Sequence, residues 1–279
     1  MMNKLAFTLL LIIGGTLTSY AQIKDRIKGN RDVTIKQTYV DDFESLIING
    51  DFNIEIVFNN KPSIEIEADN NLHDIITFEV VNGVLTFSTS KRITSKKKLL
   101  ITINYGELLK HIEVNGSTEI RSLTSMELGD VSLKTTGSSR AYLNIKASNF
   151  TFNSSGKSKS RLNLAADSTA FILSDDSQLD ALINSKISKF DIYQRAKSTI
   201  EGDVDTCDLR IDNSGKFFGK NYTIKNSTLI IESNSDATLL TTESITIEAS
   251  GTTETYLYGE PKIILNKLSG SAKLQKKEL

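Results

Sequence analysis

The feature that most constrains this chain is a repeat. From residue 111 onward one pattern recurs: an alternating apolar pair, a small polar turn that often contains glycine, then a second short alternating segment. It is visible in DVSLKTTGSSRAYLNI, NFTFNSSGKSKSRLNL, DLRIDNSGKFFGKNY and SITIEASGTTETYLYG. Taking the turn as anchor places the repeats at Gly116, Gly137, Gly156, Ser177, Ala196, Gly215, Ser235, Gly251 and Gly270. Their even spacing is close to the length of one short solenoid repeat. Self-similarity at this period is the mark of units that bury their apolar side only by stacking on one another.

Alignment on the anchors makes two apolar columns. One lies six residues before the anchor and includes Val131, Phe150, Phe171, Phe190 and Leu209. The other lies four before it and includes Ile112, Leu133, Phe152, Leu173 and Ile192. Sixteen of the 18 positions are apolar, where a 39% apolar composition gives about 7. Residues two apart share one face of a strand, so each repeat offers an inward pair. No stretch sustains the three-and-four spacing of a helix. The expected fold is therefore all-β, a parallel β-helix of about nine coils of about 19–20 residues, with Phe150, Phe171 and Phe190 one above the next. At the strand spacing such a rod is about 40 Å long. The competing architecture is an antiparallel sandwich or barrel, which also has short strands and regular turns. A leucine-rich solenoid fits less well, because its L-x-x-L-x-L-x-x-N spacing is missing.

Residues 40–110 alternate strongly but break the period, in SLIINGDFNIEIVF, ITFEVVNGVLTFSTS and KLLITINY, with Asn82-Gly83 marking a tight turn. They are expected either as irregular first coils or as a cap, since a solenoid end left open offers unpaired strand edges. The expected organisation is a signal over 1–21, a linker or N-terminal extension over 22–39, the irregular β-rich part over 40–110, the repetitive β-helix over 111–274 and a charged tail over 275–279.

The opening MMNKLAFTLLLIIGGTLTSYAQ has the parts of an export signal: Lys4, an apolar run from Leu5 to Leu17, and small residues around Ala21. That run is short for a permanent membrane span, no cysteine follows it to carry a lipid, and no later segment reaches spanning length. The expectation is a product exported through a cleaved signal to the periplasm, outer surface or medium. With 33 basic against 34 acidic residues, the chain lacks the uncompensated positive charge that nucleic acid requires. A single cysteine rules out an intramolecular disulfide.

Particular motifs add a resemblance. Asn49-Gly50-Asp51-Phe52-Asn53-Ile54, then Asp69-Asn70-Asn71-Leu72 and Asn82-Gly83-Val84-Leu85, the repeated Ser-Gly-Ser-like turns and a closing Tyr258-Gly259-Glu260-Pro261 follow one another in order. Together they make the chain similar to the head GIN domain family of "putative auto-transporter adhesins", over roughly residues 40 to 274. The chain departs from that pattern at Asp176-Ser177, Arg195-Ala196 and Asn234-Ser235, where Ser-Gly is usual. The resemblance implies an exported β-helical protein of bacterial envelopes without an assigned biochemical role.

Candidate chemistry is sparse. His73 and His111 show no metal-ligand spacing, and Cys207 stands alone. Asp167, Asp175, Asp176 and Asp180 fall near successive turns, with Asp203, Asp205 and Asp208 as a second group. Paired carboxylates could serve as acid and base on a polysaccharide, although Asp is also an ordinary turn residue. Lys157, Lys159 and Arg161 alternate, which places them on one face as a candidate polyanion patch. Tyr142, Tyr193, Tyr222, Tyr256 and Tyr258 are candidates for a sugar-stacking surface. No cofactor is expected. The sequence favours a non-enzymatic, adhesin-like binding or scaffold protein for a cell-surface or glycan ligand. The alternative is a β-helical carbohydrate-active enzyme using Asp175 and Asp176.

Overall fold

The computed structural model describes residues 25–279. The expected signal over 1–21 lies outside the described residues. The chain is almost wholly strand and forms a β-solenoid of about nine turns. The central coils show why. In Arg140–Ser154, RAYLNIKASNFTFNS, burial alternates residue by residue through Ala141, Leu143 and Ile145. It slips phase around Ala147–Asn149 and resumes at Phe150, Phe152 and Ser154. The slip is a corner: one strand supplies two sides of the coil, and a short turn at 155–158 closes it. Lys159–Leu173, Gln178–Ile192 and Lys197–Ile211 repeat this plan and pair in parallel, residue on residue. Every backbone N–H and C=O of an inner coil can thus be used along the ladder while the apolar side chains fill the interior.

The repeat is more regular than the turn anchors imply. A left-handed turn residue recurs from coil to coil, at Gly116, Gly137, Gly156, Asp175, Gln194, Asn213, Ser233, Gly251 and Gly270. Ser177, Ala196, Gly215 and Ser235 lie two positions further on. They belong with Thr118, Ser139, Ser158 and Thr253 in a separate column of small, buried residues. The expected stack of Phe150, Phe171 and Phe190 is corrected accordingly. The column is Leu133, Phe152, Phe171, Phe190 and Leu209, whereas Phe150 stands opposite Thr169. Phe171 and Phe190 lie face to face with centroids 4.5 Å apart. Phe150 still points inward and reaches Phe171 diagonally at 6.0 Å. Next to the large rings the neighbouring column shrinks to Thr169, Ser188 and Cys207, all buried. Tyr222 fills the remaining space, and its hydroxyl lies 2.8 Å from Ser188 Oγ.

The first coil, Ser45–Gly50 with Asn53–Phe58, is flanked on both sides. His111–Gly116 and Glu119–Ser122 lie against one side of it. On the other lie Val84–Thr89 and Leu99–Tyr105, also parallel to it. The chain therefore steps outward after Phe58, lays down one further coil, and returns. Outside that coil the direction reverses. Ser63–Asp69 and Ile76–Val81 pair antiparallel on it, and Val33–Tyr39 pairs antiparallel on Ser63–Asp69. The hairpin between Ile76–Val81 and Val84–Thr89 turns at Asn82 and Gly83, both with positive φ. Antiparallel strands stop parallel growth and cover the core at this end. Within 22–39, Arg26–Lys28 pairs with Arg92–Ser95 as well.

At the opposite end the last coil, Lys262–Leu268 with Lys273–Lys276, has no neighbour beyond it among the described residues. Ile263 and Leu265 continue the columns of Ile245 and Ile247, which are 0% exposed, yet they are 43% and 47% exposed. Lysines at 262, 267, 273, 276 and 277 rim this end.

Candidate functional site

The outward side chains form ladders, because residues in register on successive parallel strands stand about 4.8 Å apart. One ladder runs Arg121, Tyr142, Arg161, Asp180, Thr199. Beside it run Asn144, Asn163, Leu182 and Glu201. Together they line a shallow groove of about 700 Å³ parallel to the solenoid axis. Leu123, 53% exposed, and Leu182, 43% exposed, supply apolar contact along it. Five coils at the strand spacing give a length of about 19 Å, and two rows on one strand face give a width of about 7 Å.

The groove has a polarity. At one end the Arg121 guanidinium is paired with Glu119, with Nη2 2.7 Å from Oε1, and lies over the Tyr142 ring at 4.1 Å from its centroid; Oε2 of the same carboxylate is 3.7 Å from Arg140 Nη1. That stacking fixes the ring. Arg161 follows in register and has neither a hydrogen-bond nor an ion-pair partner among the described residues. The side-chain amides of Asn144 and Asn163 are equally unengaged, although the Asn144 backbone N–H donates to Ser122 Oγ at 2.9 Å. Asp180 and Glu201 stand toward the far end.

The expected site residues separate. Arg161 and Asp180 lie in the groove. Lys159 stands one ladder away, in the row Arg140, Lys159, Gln178, Lys197. Lys157 belongs to the turn, where its N–H donates to the Gly137 carbonyl at 2.6 Å, so it does not share a strand face with the other two. Asp175 and Asp176 are also turn residues. Asp175 adopts the left-handed conformation at φ 59° and accepts the Gly156 N–H on Oδ2 at 2.8 Å. Asp176 is held by Arg195 through bonds of 2.6 and 2.9 Å. The Arg195 guanidinium keeps its carboxyl below the usual range. Asp167 and Asp205 pair with Lys186 and Lys225, at 2.7 and 2.6 Å. Among the described residues no group of three or more His, Cys, Asp or Glu side chains could hold a metal ion.

The other singled-out residues have structural partners. His73 is buried against Thr34, whose Oγ1 is 3.0 Å from Nε2. Burial and then Lys36 lower its pKa. His111 Nδ1 is 2.6 Å from Ser132 Oγ. Cys207 is wholly buried, which raises its thiol pKa. Tyr222 is a core residue with a raised pKa for the same reason, so it is lost to any outer tyrosine surface. Tyr256 donates its hydroxyl to Glu254 at 2.7 Å.

Sequence reasoning missed the groove as a unit. Tyr142, Arg161 and Asp180 stand a full repeat apart along the chain, and only the true period brings them into one row.

Among the described residues no helix is long and apolar enough to cross a membrane. No curated protein matches the sequence. The chain is similar in structure to a "putative adhesin" from Parabacteroides merdae, with TM-score 0.68 and 19% identity over 91% of this chain and 99% of that one. A "putative adhesin" from Parabacteroides distasonis gives TM-score 0.68 and 18% identity, over 91% and 100%. A "putative lipid binding protein" from the same species gives 0.67 and 18%, over 91% and 100%. At such identities the likeness shows the shared fold. The family model described as "putative auto-transporter adhesin, head GIN domain" matches residues 42–261, most of the sequence, and the chain belongs to that family.

Proposed function

We propose that this chain is an exported, non-enzymatic, adhesin-like protein of the cell envelope that binds its ligand on repeated outward faces. The observation that carries the reading is the groove between Arg121 and Glu201, built from side chains of five successive coils. Export is favoured by the family and by the signal-like opening of the sequence. Binding on such a face draws on many shallow contacts, each modest, summed along a rigid ladder. Rigidity lowers the ordering cost, since the side chains are mounted on strands whose backbone is already fixed.

The non-enzymatic part rests on where the carboxylates sit. Asp175 and Asp176, the pair an acid–base cleavage would use, lie at a turn outside the groove, and both are engaged locally. A carboxylate held ionised by a guanidinium is a poor general acid near neutral pH. The test combines a glycan array with incubation of the same polysaccharides and end-group analysis. Saturable binding with no new chain ends supports the reading. Turnover that disappears in Asp176→Asn overturns it in favour of a β-helical carbohydrate-active enzyme.

A further inference from the structure

We propose that the groove is a subsite for an acidic oligosaccharide, with the carboxylate of a uronic or sialic acid residue seated on Arg161. This rests on the binding reading above and specifies its ligand. The pairing of charges along the groove points to it. Arg121, whose guanidinium is paired with Glu119, serves to hold the Tyr142 ring. Arg161, one coil beyond Tyr142, makes no ion pair and keeps its donors free among the described residues. Its fork of N–H groups matches a planar carboxylate with two parallel hydrogen bonds. Lys159 cannot substitute, because it stands outside the groove.

What surrounds Arg161 favours a sugar over a peptide. Asn144 and Asn163 present free amides, each both donor and acceptor, at one spacing along the coil axis. Amides of this kind pair with vicinal hydroxyls. The exposed part of Tyr142 offers an apolar ring beside them, as do the flanks of Leu123 and Leu182. Asp180, in register with Arg161 on the next coil, and Glu201 beyond it accept hydroxyl hydrogens and repel a second carboxylate. The groove thus fits one acidic residue at its middle, over Arg161, with neutral sugars on either side. An extended peptide, by contrast, binds a sheet by adding a strand at an edge. Here the backbone beneath the groove is already paired on both sides. The groove length of about 19 Å suits three to four sugar units.

The experiment uses the exported chain and a panel of matched oligosaccharides. Each is offered as the acid and as its carboxyl-reduced neutral form: galacturonate, guluronate and hyaluronan oligomers, with sialyllactose set against lactose. Calorimetric titration is made on wild type, Arg161→Gln, Tyr142→Ala and a control outside the groove, Lys189→Gln. Binding of at least one acidic member is expected, weakened about tenfold or more by carboxyl reduction and by Arg161→Gln, the loss of a charge-assisted pair. The control leaves affinity unchanged. Melting curves establish that the exposed substitutions leave the fold intact. Equal binding of acid and reduced forms, or an acidic ligand indifferent to Arg161→Gln, overturns this proposal while leaving the binding reading standing. Absence of binding to every glycan on both panel and array overturns both.

Discussion

At the residue scale, the interior and the turns make opposite demands. Phe152 is 1% exposed in a column between Leu133 and Phe171. Phe152→Asp removes about 1.5–3 kcal/mol of burial and adds a charge with no partner, so much of the domain should unfold. Lys157→Ala, at an exposed turn, should change stability by less than about 0.5 kcal/mol. Thermal melting of the two variants checks the contrast, and a near-native transition for Phe152→Asp would contradict the inward column. Gly156 has φ 71°, yet Asp175, Gln194, Asn213 and Ser233 hold the same turn position in other coils. A Cβ at 156 would stand 2.7 Å from the Gly137 carbonyl oxygen, so either substitution makes the turn shift. Gly156→Asn should cost about 1 kcal/mol, since Asn visits the left-handed region, and Gly156→Val clearly more, about 2–3 kcal/mol. Equal melting temperatures for the two would refute the turn assignment. This is also where the sequence was hardest to read. Four of nine turns lack glycine, and a column of small buried residues two positions later looks like the same signal.

At the scale of elements, the two ends differ. Inner coils bury Ile245 completely, whereas Ile263 in the next coil is 43% exposed. Ile263→Asp should thus cost much less in melting temperature than Ile245→Asp, though both occupy one column. Equal losses would mean that something covers the last coil. At the capped end Asp69 is 0% exposed and accepts the backbone N–H groups of Arg31, Lys97 and Lys98 at 3.0 to 3.2 Å. Burial alone would raise its pKa, but these donors outweigh it and hold the carboxyl below its ordinary 3.8. A depressed carboxylate contributes stability that is fully present above the unfolded value and is lost as pH falls through the folded one. Acid titration followed by circular dichroism should show the wild-type cap losing stability below pH 3.8, with Asp69→Asn less stable at neutral pH and flatter in that range. Parallel acid profiles would show that Asp69 does not tie the cap together. Alternation made these strands visible in residues 40–110, and the Asn82-Gly83 hairpin was legible from its two residues. The outward step of the chain was not, because strand order in space leaves no local trace in composition or spacing.

At the scale of the whole molecule, the solenoid converts a one-dimensional repeat into ordered outer faces. The all-β class and the parallel stacking were legible because an inward apolar pair recurs at a fixed period near one coil length, which a stack of coils requires and an antiparallel sandwich or barrel does not. The groove was not, since its members lie a full coil apart along the chain and each alone is an ordinary exposed side chain. Everything proposed about binding depends on that register. Disulfide trapping tests it most directly. Thr151 and Ala170 face outward as register partners on adjacent coils, on the side away from the groove, and Cα atoms of such partners stand about 4.8 Å apart, within bridging range. Thr151→Cys with Ala170→Cys should close a disulfide under mild oxidation in the folded protein, while Thr151→Cys with Ile172→Cys, two residues out of register, should remain reduced. Buried Cys207 does not compete. Bridging of the second pair and not the first would contradict the account.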